Sequence, residues 1–188
     1  MTMTTSRAFT LVETMVAIAV LAIALVGPFI AVQNALRASY IARDQLVAAH
    51  LAQEGMEYIR SVRDANYLNN RAGGWLDGFS AASRDLCYSL TSTAPSGVCI
   101  LDPIRGDFHA SGQAAAMDEQ ASHAAAPVLN LDASRRYTQQ AGSATSFKRT
   151  VQITTLSATE IRVTITVSWT TLKQTYSVVV SDTLRDWL

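Results

Sequence analysis

Hydrophobic and polar positions follow three different patterns along the chain. From Met15 to Val32 there are eighteen consecutive uncharged residues, nearly all apolar. As a helix rising about 1.5 Å per residue, that block crosses most of a bilayer's hydrocarbon core. A charge stands just ahead of it, at Glu13. A carboxylate near hydrocarbon costs on the order of a few kcal/mol, less at the interface than at the centre, so an acid placed here calls for a partner.

From Val32 to about Ala65 the pattern stays helical and becomes amphipathic. One face at 3.6-residue spacing reads Leu36, Tyr40, Arg43, Val47, Leu51, Glu54, Tyr58, Val62 and Ala65, and this face is expected to bury. Beside it runs a strip of small residues, Ala48, Ala52 and Gly55, which permits close approach of a sheet or a neighbouring helix. Arg37, Asp44, Glu57, Arg60, Arg63 and Asp64 populate the remaining surface, with Glu57 and Arg60 paired at i,i+3. Between the two helical halves, Gly27-Pro28 is a break point, because Pro removes a backbone donor and crowds the preceding turn. Membrane helices tolerate this with a kink or a loosened turn. Asn66 to Gly74 is turn chemistry that ends the helix.

The last forty residues alternate. Phe147, Val151 and Ile153 share one face of a first strand, and Ile161, Val163, Ile165, Val167 and Trp169 oppose Arg162, Thr164, Thr166 and Ser168 in a second. A third strand, Gln174 to Ser181, presents Tyr176, Val178 and Val180. Ser157 to Thr159 and Thr170 to Lys173 suit hairpins, so the simplest topology is an antiparallel meander with one apolar face. The amphipathic half of the helix is the available cover, and Leu184, Trp187 and Leu188 are placed to close the sheet's edge. Between Trp75 and Gly142 periodicity is lost. That stretch holds an Ala-rich segment, Gln113 to Ala126, and the tripeptide Arg105-Gly106-Asp107, an adhesion-like sequence without a cysteine frame around it.

Composition adds compartment and excludes some chemistry. With 188 residues, of which roughly sixty go to one long helix, one small globular domain remains. The formal net charge is zero, which gives no basic footprint for nucleic acid. Cys87 and Cys99 enclose a loop containing Pro95 and Gly97. The spacing suits a disulfide in an oxidising compartment, the alternative being two free thiols. His50, His109 and His123 are scattered without ligand spacing, and no phosphate-cradling glycine loop or nucleophile elbow is present. The expectation is a protein without enzymatic activity, metal or cofactor.

The residues around Glu13 carry a family resemblance. A short polar leader ending in a small residue, then Phe9-Thr10-Leu11-Val12-Glu13, then a long apolar helix, resembles the prepilin-type signal of type IV pilins and of the related pseudopilins of type II secretion. The resemblance implies a peptidase cut between Ala8 and Phe9, N-methylation of Phe9, and Glu13 as the fifth residue of the mature chain, acting in subunit assembly. Ala8 departs from the family's usual Gly before the cut, and Arg7 is the leader's one basic residue. Cleavage would create a cationic amine one helical turn from Glu13. The carboxylate could pair within its own helix or neutralise the amine of a neighbouring subunit. The resemblance implies the second. It also associates Pro28 with melting of the helix on assembly, the alternative being a passive kink. An ordinary secretory signal fits poorly, since the apolar run is too long and continues past Pro28. A plain membrane anchor leaves Glu13 unexplained.

The expected protein is therefore α+β and pilin-like, a long helix on a C-terminal antiparallel meander. Its expected segments are a leader at 1–8, a transmembrane or filament-core helix at 9–32, an amphipathic half at 33–66, a variable loop region at 67–146 and a sheet at 147–188. The resemblance implies as partners other pilin subunits, the prepilin peptidase and methyltransferase, the pilus assembly platform and the inner membrane. It implies an inner-membrane subunit with its C-terminal domain outside the cytoplasm, later part of a filament. A type II secretion pseudopilin and an anchored binding module that forms no filament are the alternatives.

Overall fold

The computed structural model of the chain describes residues 9–71, 73–79, 87–89, 94–105 and 116–186. The leader with Arg7 and Ala8, Gly106 and Asp107 of the adhesion-like tripeptide, His109, the first part of the Ala-rich segment, Trp187 and Leu188 lie outside the described residues. One helix, α1 (Leu11–Leu68), dominates the N-terminal part. The chain divides into two compact units, Met1–Arg43 and Asp44–Leu188.

In the first unit α1 is bare. Large apolar side chains from Phe9 to Tyr40 are 52–77% exposed, and the most apolar 18-residue window, of mean hydropathy 2.8, has none of its residues buried. The helix runs through Gly27 and Pro28 without interruption.

The second unit holds the core. Its main sheet has six strands: β1 (Tyr88–Ser89), β2 (Val98–Leu101), β3 (Met117–Gln120), β7 (Lys148–Ser157), β8 (Glu160–Thr171) and β9 (Gln174–Arg185). The spatial order is β3-β2-β7-β8-β9, with β1 also pairing along β7. A second, three-stranded sheet joins β4 (Asn130–Leu131), β5 (Tyr137–Thr138) and β6 (Ser143–Ala144). The C-terminal meander is antiparallel as expected, Val151 standing opposite Ile165 and Ile165 opposite Val180. Its alternation maps onto burial. Ile161, Val163, Ile165, Val167 and Trp169 are 0–2% exposed, and Tyr176, Val178 and Val180 pack half-buried beside them. Leu184 is buried at the strand's end.

The region expected to be loop carries the six short strands β1 to β6, and one of them, β1, pairs with β7 in parallel. Two- and four-residue strands are too short to show a period. In β2, Val98 to Leu101 is buried on both faces, so no alternation exists to be read.

The covering face of α1 is also shifted from the one expected. The buried positions are Ala48, Leu51, Ala52, Gly55, Met56, Ile59, Val62 and Asn66, whereas Leu36, Tyr40, Glu54 and Ala65 are exposed. The strip of small residues is thus the middle of the contact. A Cβ at Gly55 would stand 3.0 Å from Ile165 Cδ1 and 3.2 Å from Leu101 Cδ2, so the backbone itself lies against the sheet. Close approach brings more of both surfaces into contact than a ridge of large side chains would allow.

Polar atoms lock the same interface. Arg149, fully buried, lies on the helix side of β7; its Nε donates to the Leu101 carbonyl at 3.0 Å and its Nη1 to the Leu51 carbonyl at 3.1 Å and to Glu54 Oε2 at 2.6 Å. At the end of α1, the Asn66 side-chain amide donates to the carbonyls of Trp75 and Asp77, pinning the chain that follows. Asn69 and Asn70 form the terminating turn, Asn70 in the left-handed region at φ 46°.

Candidate functional site

The start of α1 is set by local chemistry. Thr10 precedes the first helical residue, and its Oγ1 accepts the Glu13 backbone N–H at 3.2 Å, satisfying one of the donors that every helix start leaves open. The Thr14 hydroxyl donates to the Leu11 carbonyl at 2.8 Å. Thr10 escaped the reading by hydrophobicity, yet Thr-x-x-Glu ahead of an apolar run is a recognisable capping pattern.

In that pattern the acid commonly reaches back to the N-cap amide. Glu13 does not. Among the described residues its side chain forms no hydrogen bond and no ion pair, and it stands exposed on the apolar helix. Thr10 caps the helix, so the Glu13 carboxylate is not consumed by capping. The backbone dipole favours an anion in this first turn. Phe9, the first described residue, is 77% exposed and lies one turn before Glu13. It is a single exposed carboxylate in the first turn, with Thr10 and Thr14 beside it and apolar Leu11, Val12, Met15, Val16 and Ala17 around it.

Further along, Pro28 sits inside the helix, and a Cβ added at Gly27 would meet nothing within 4 Å. Among the described residues no packing contact requires glycine there.

Away from the helix, Cys87 and Cys99 are joined by a disulfide with Cα atoms 5.3 Å apart, and both are fully buried. The bridge ties the start of β1 to β2, next to β7. Among the described residues there is no group of three or more His, Cys, Asp or Glu placed to hold a metal ion. His50 is exposed on α1, while His123 bonds to two hydroxyls of the sheet.

Comparison with known proteins adds one finding. Residues 3–27 match the family model described as the prokaryotic N-terminal methylation motif. Neither curated proteins nor solved structures gave a match to this chain. The matched segment covers the Ala8-Phe9 junction, Glu13 and the apolar run as far as Gly27. It implies processing by a prepilin peptidase and assembly into a pilus-like filament, and with the apolar helix it suits an inner-membrane-anchored subunit. The chain carries the prepilin-type methylation motif on a long apolar helix, an N-terminal organisation consistent with a type IV pilin-like protein, pilin or pseudopilin.

Proposed function

We propose that the chain is a structural subunit, major or minor, of a type IV pilus-like filament. It enters the inner membrane as a prepilin with its C-terminal domain outside the cytoplasm. Cleavage between Ala8 and Phe9 and methylation of Phe9 leave Glu13 as the mature fifth residue. The carboxylate of an incoming subunit then neutralises the Phe9 amine of one already assembled, while the apolar helices bundle in the filament core. Loosening at Gly27-Pro28 lets the bundle compact. In this reading the role is architectural, and no catalytic step belongs to the chain.

The observation that carries the reading is Glu13, an acid with no partner among the described residues, on an exposed apolar helix within the methylation motif. In a low-dielectric bundle an isolated charge is costly, and a charge with an opposite partner much less so. Pairing therefore selects the register of each added subunit. The intact mass and amino-terminal sequence of protein from native membranes test the processing step. A chain beginning at methylated Phe9 supports it, and a chain still beginning at Met1 beside an active peptidase refutes it. Glu13→Leu tests the assembly step: cleaved protein accumulates in the membrane and filaments are lost. Normal filament yield from that variant would return the chain to a simple anchor.

A further inference from the structure

The face of the main sheet turned away from α1 is rich in hydroxyls. Because side chains alternate along a strand, Thr166, Ser168 and Thr170 of β8 point opposite to buried Val167 and Trp169, and Thr175 and Ser177 of β9 stand level with Thr170 and Ser168. The turn containing His123 to Ala125 lies over part of this face. The His123 ring holds it there, with Nδ1 2.5 Å from Thr150 Oγ1 and Nε2 2.6 Å from Ser168 Oγ. Lys148 Nζ, directly across from Ser168 in the ladder, donates to the Ala124 carbonyl at 2.6 Å. Together they wall off a groove of about 520 Å³, lined by His123, Lys148, Ser146, Thr166, Ser168 and Ser177 among others.

Three features of this groove bear on what it would take. Among the described residues Lys148 and His123 are the titratable groups lining it, and no carboxylate does. Burial, and secondarily the Lys148 charge, holds the His123 pKa below its usual value, so at neutral pH the ring is uncharged and Lys148 supplies the positive charge. The hydroxyls of Ser146, Thr166 and Ser177 make no hydrogen bond to another described residue, so their donors are open to a ligand. A point cation flanked by free hydroxyl donors fits a tetrahedral oxyanion. The volume is several times what one such ion fills, and falls in the range of small-molecule sites. The geometry points to a groove for a phosphate or sulfate ester of a sugar-sized polar alcohol, with Lys148 as charge partner and Ser146, Thr166 and Ser177 as hydroxyl donors.

The test is a calorimetric titration of the full-length chain in detergent micelles with glucose 6-phosphate, inorganic phosphate and glucose. The sugar phosphate binds, inorganic phosphate binds more weakly, and glucose shows no binding at the same concentrations. Lys148→Gln weakens the sugar phosphate by about tenfold or more, the scale of one lost charge-assisted contact, and Lys148→Arg retains it. Because Lys148 also holds the covering turn, Ser177→Asp is the second variant. It sets an anion in the groove from an exposed position whose side chain makes no hydrogen bond to another described residue, so melting stays unchanged while binding falls by about tenfold or more. Absence of binding, equal binding of glucose, or undiminished binding by Ser177→Asp overturns the proposal. Inorganic phosphate binding as tightly as the ester overturns the sugar-sized part and leaves a site for the free ion.

Discussion

Two stretches of one helix differ in what their apolar residues meet. From Phe9 to Tyr40 the large apolar side chains are more than half exposed, whereas Ala48, Ala52 and Ile59 are fully buried. The uncovered stretch has the longer apolar run. The covered stretch sets Leu51, Met56, Ile59 and Val62 around a strip of small residues, with Gly55 against Ile165 and Leu101. Hydrophobicity therefore does not say which part of a helix its own domain will bury. What decides is whether the rest of the chain offers a surface of matching shape, as the sheet does for the buried positions from Ala48 to Asn66. The two stretches also treat charge differently. Glu13 has no partner among the described residues, while the guanidinium of Arg149 is held by Leu101, Leu51 and Glu54.

The largest effect is expected at the covered stretch. Arg149→Ala leaves a cavity and strips the Leu51 and Leu101 carbonyls of a donor, and should lower the unfolding free energy by about 2–4 kcal/mol. The left-over Glu54 is 44% exposed and stays solvated, which keeps the loss below that of a fully buried broken pair. Leu25→Ala, in the uncovered stretch, should leave the same denaturation midpoint unchanged. Equal losses at the two positions would erase the distinction.

Next comes the disulfide. Replacing Cys87 and Cys99 by Ser opens a loop of sequence separation 12 and should cost about 3 kcal/mol in the same denaturation experiment. Filament assembly per folded molecule should be untouched, because the bridge lies in the second unit and Glu13, the carboxylate proposed to act in assembly, in the first.

A smaller gain is available at the β8–β9 hairpin. Its two turn residues, Leu172 and Lys173, sit at φ 53° and 68°, a region that residues with a Cβ adopt at a cost. Replacing the pair by Asn-Gly should raise stability by about 1 kcal/mol, seen as a higher melting temperature. No gain would mean that the turn relaxes differently in solution.

The smallest effect concerns Arg60, which bridges α1 to β9 through Asp182 at 2.6 Å. The hydrogen bond from Arg60 holds the Asp182 carboxyl below its usual pKa. Its contribution is therefore whole above the unfolded-state pKa near 3.9 and fades as pH falls through the lower folded-state value. Both side chains are more than a third exposed, so it amounts to less than about 1 kcal/mol and weakens with salt. Asp182→Asn should lose that increment at neutral pH and match the parent in strong acid. A constant difference across that range would assign the effect to packing instead.

How much could be read from residues alone follows the length of each pattern. β8 was legible because its alternation runs unbroken from Ile161 to Trp169. β7 was legible in part, and the interruption in its apolar face is Arg149, between Phe147 and Val151, where the fold buries a cation. A charged residue in a strand reads as solvent-facing unless its partners are known. Those partners are a helix carbonyl 98 residues away in sequence and a strand carbonyl 48 away. The helix face was misplaced for a related reason, since large residues mark burial in general but glycine and alanine mark it where two backbones approach. Asn66 opens a stretch of turn residues in the sequence, and in the fold it is a buried clamp on the carbonyls of Trp75 and Asp77.

Consecutive residues carry the methylation motif, the apolar first half of the helix with Glu13, the hairpins of the C-terminal meander and the candidate cysteine pair. Each of these is local, written in consecutive residues or in a period that repeats over several turns or strand steps. Folding in three dimensions sets which face of α1 meets the sheet, that β1 to β3 extend the meander, that Arg149 lies inside, and that His123 and Lys148 hold a turn over the hydroxyl face. These depend on contacts between residues far apart in the chain, whose energies are set by fit and by pairing of buried polar groups, and such fit leaves no periodic trace in the order of the residues.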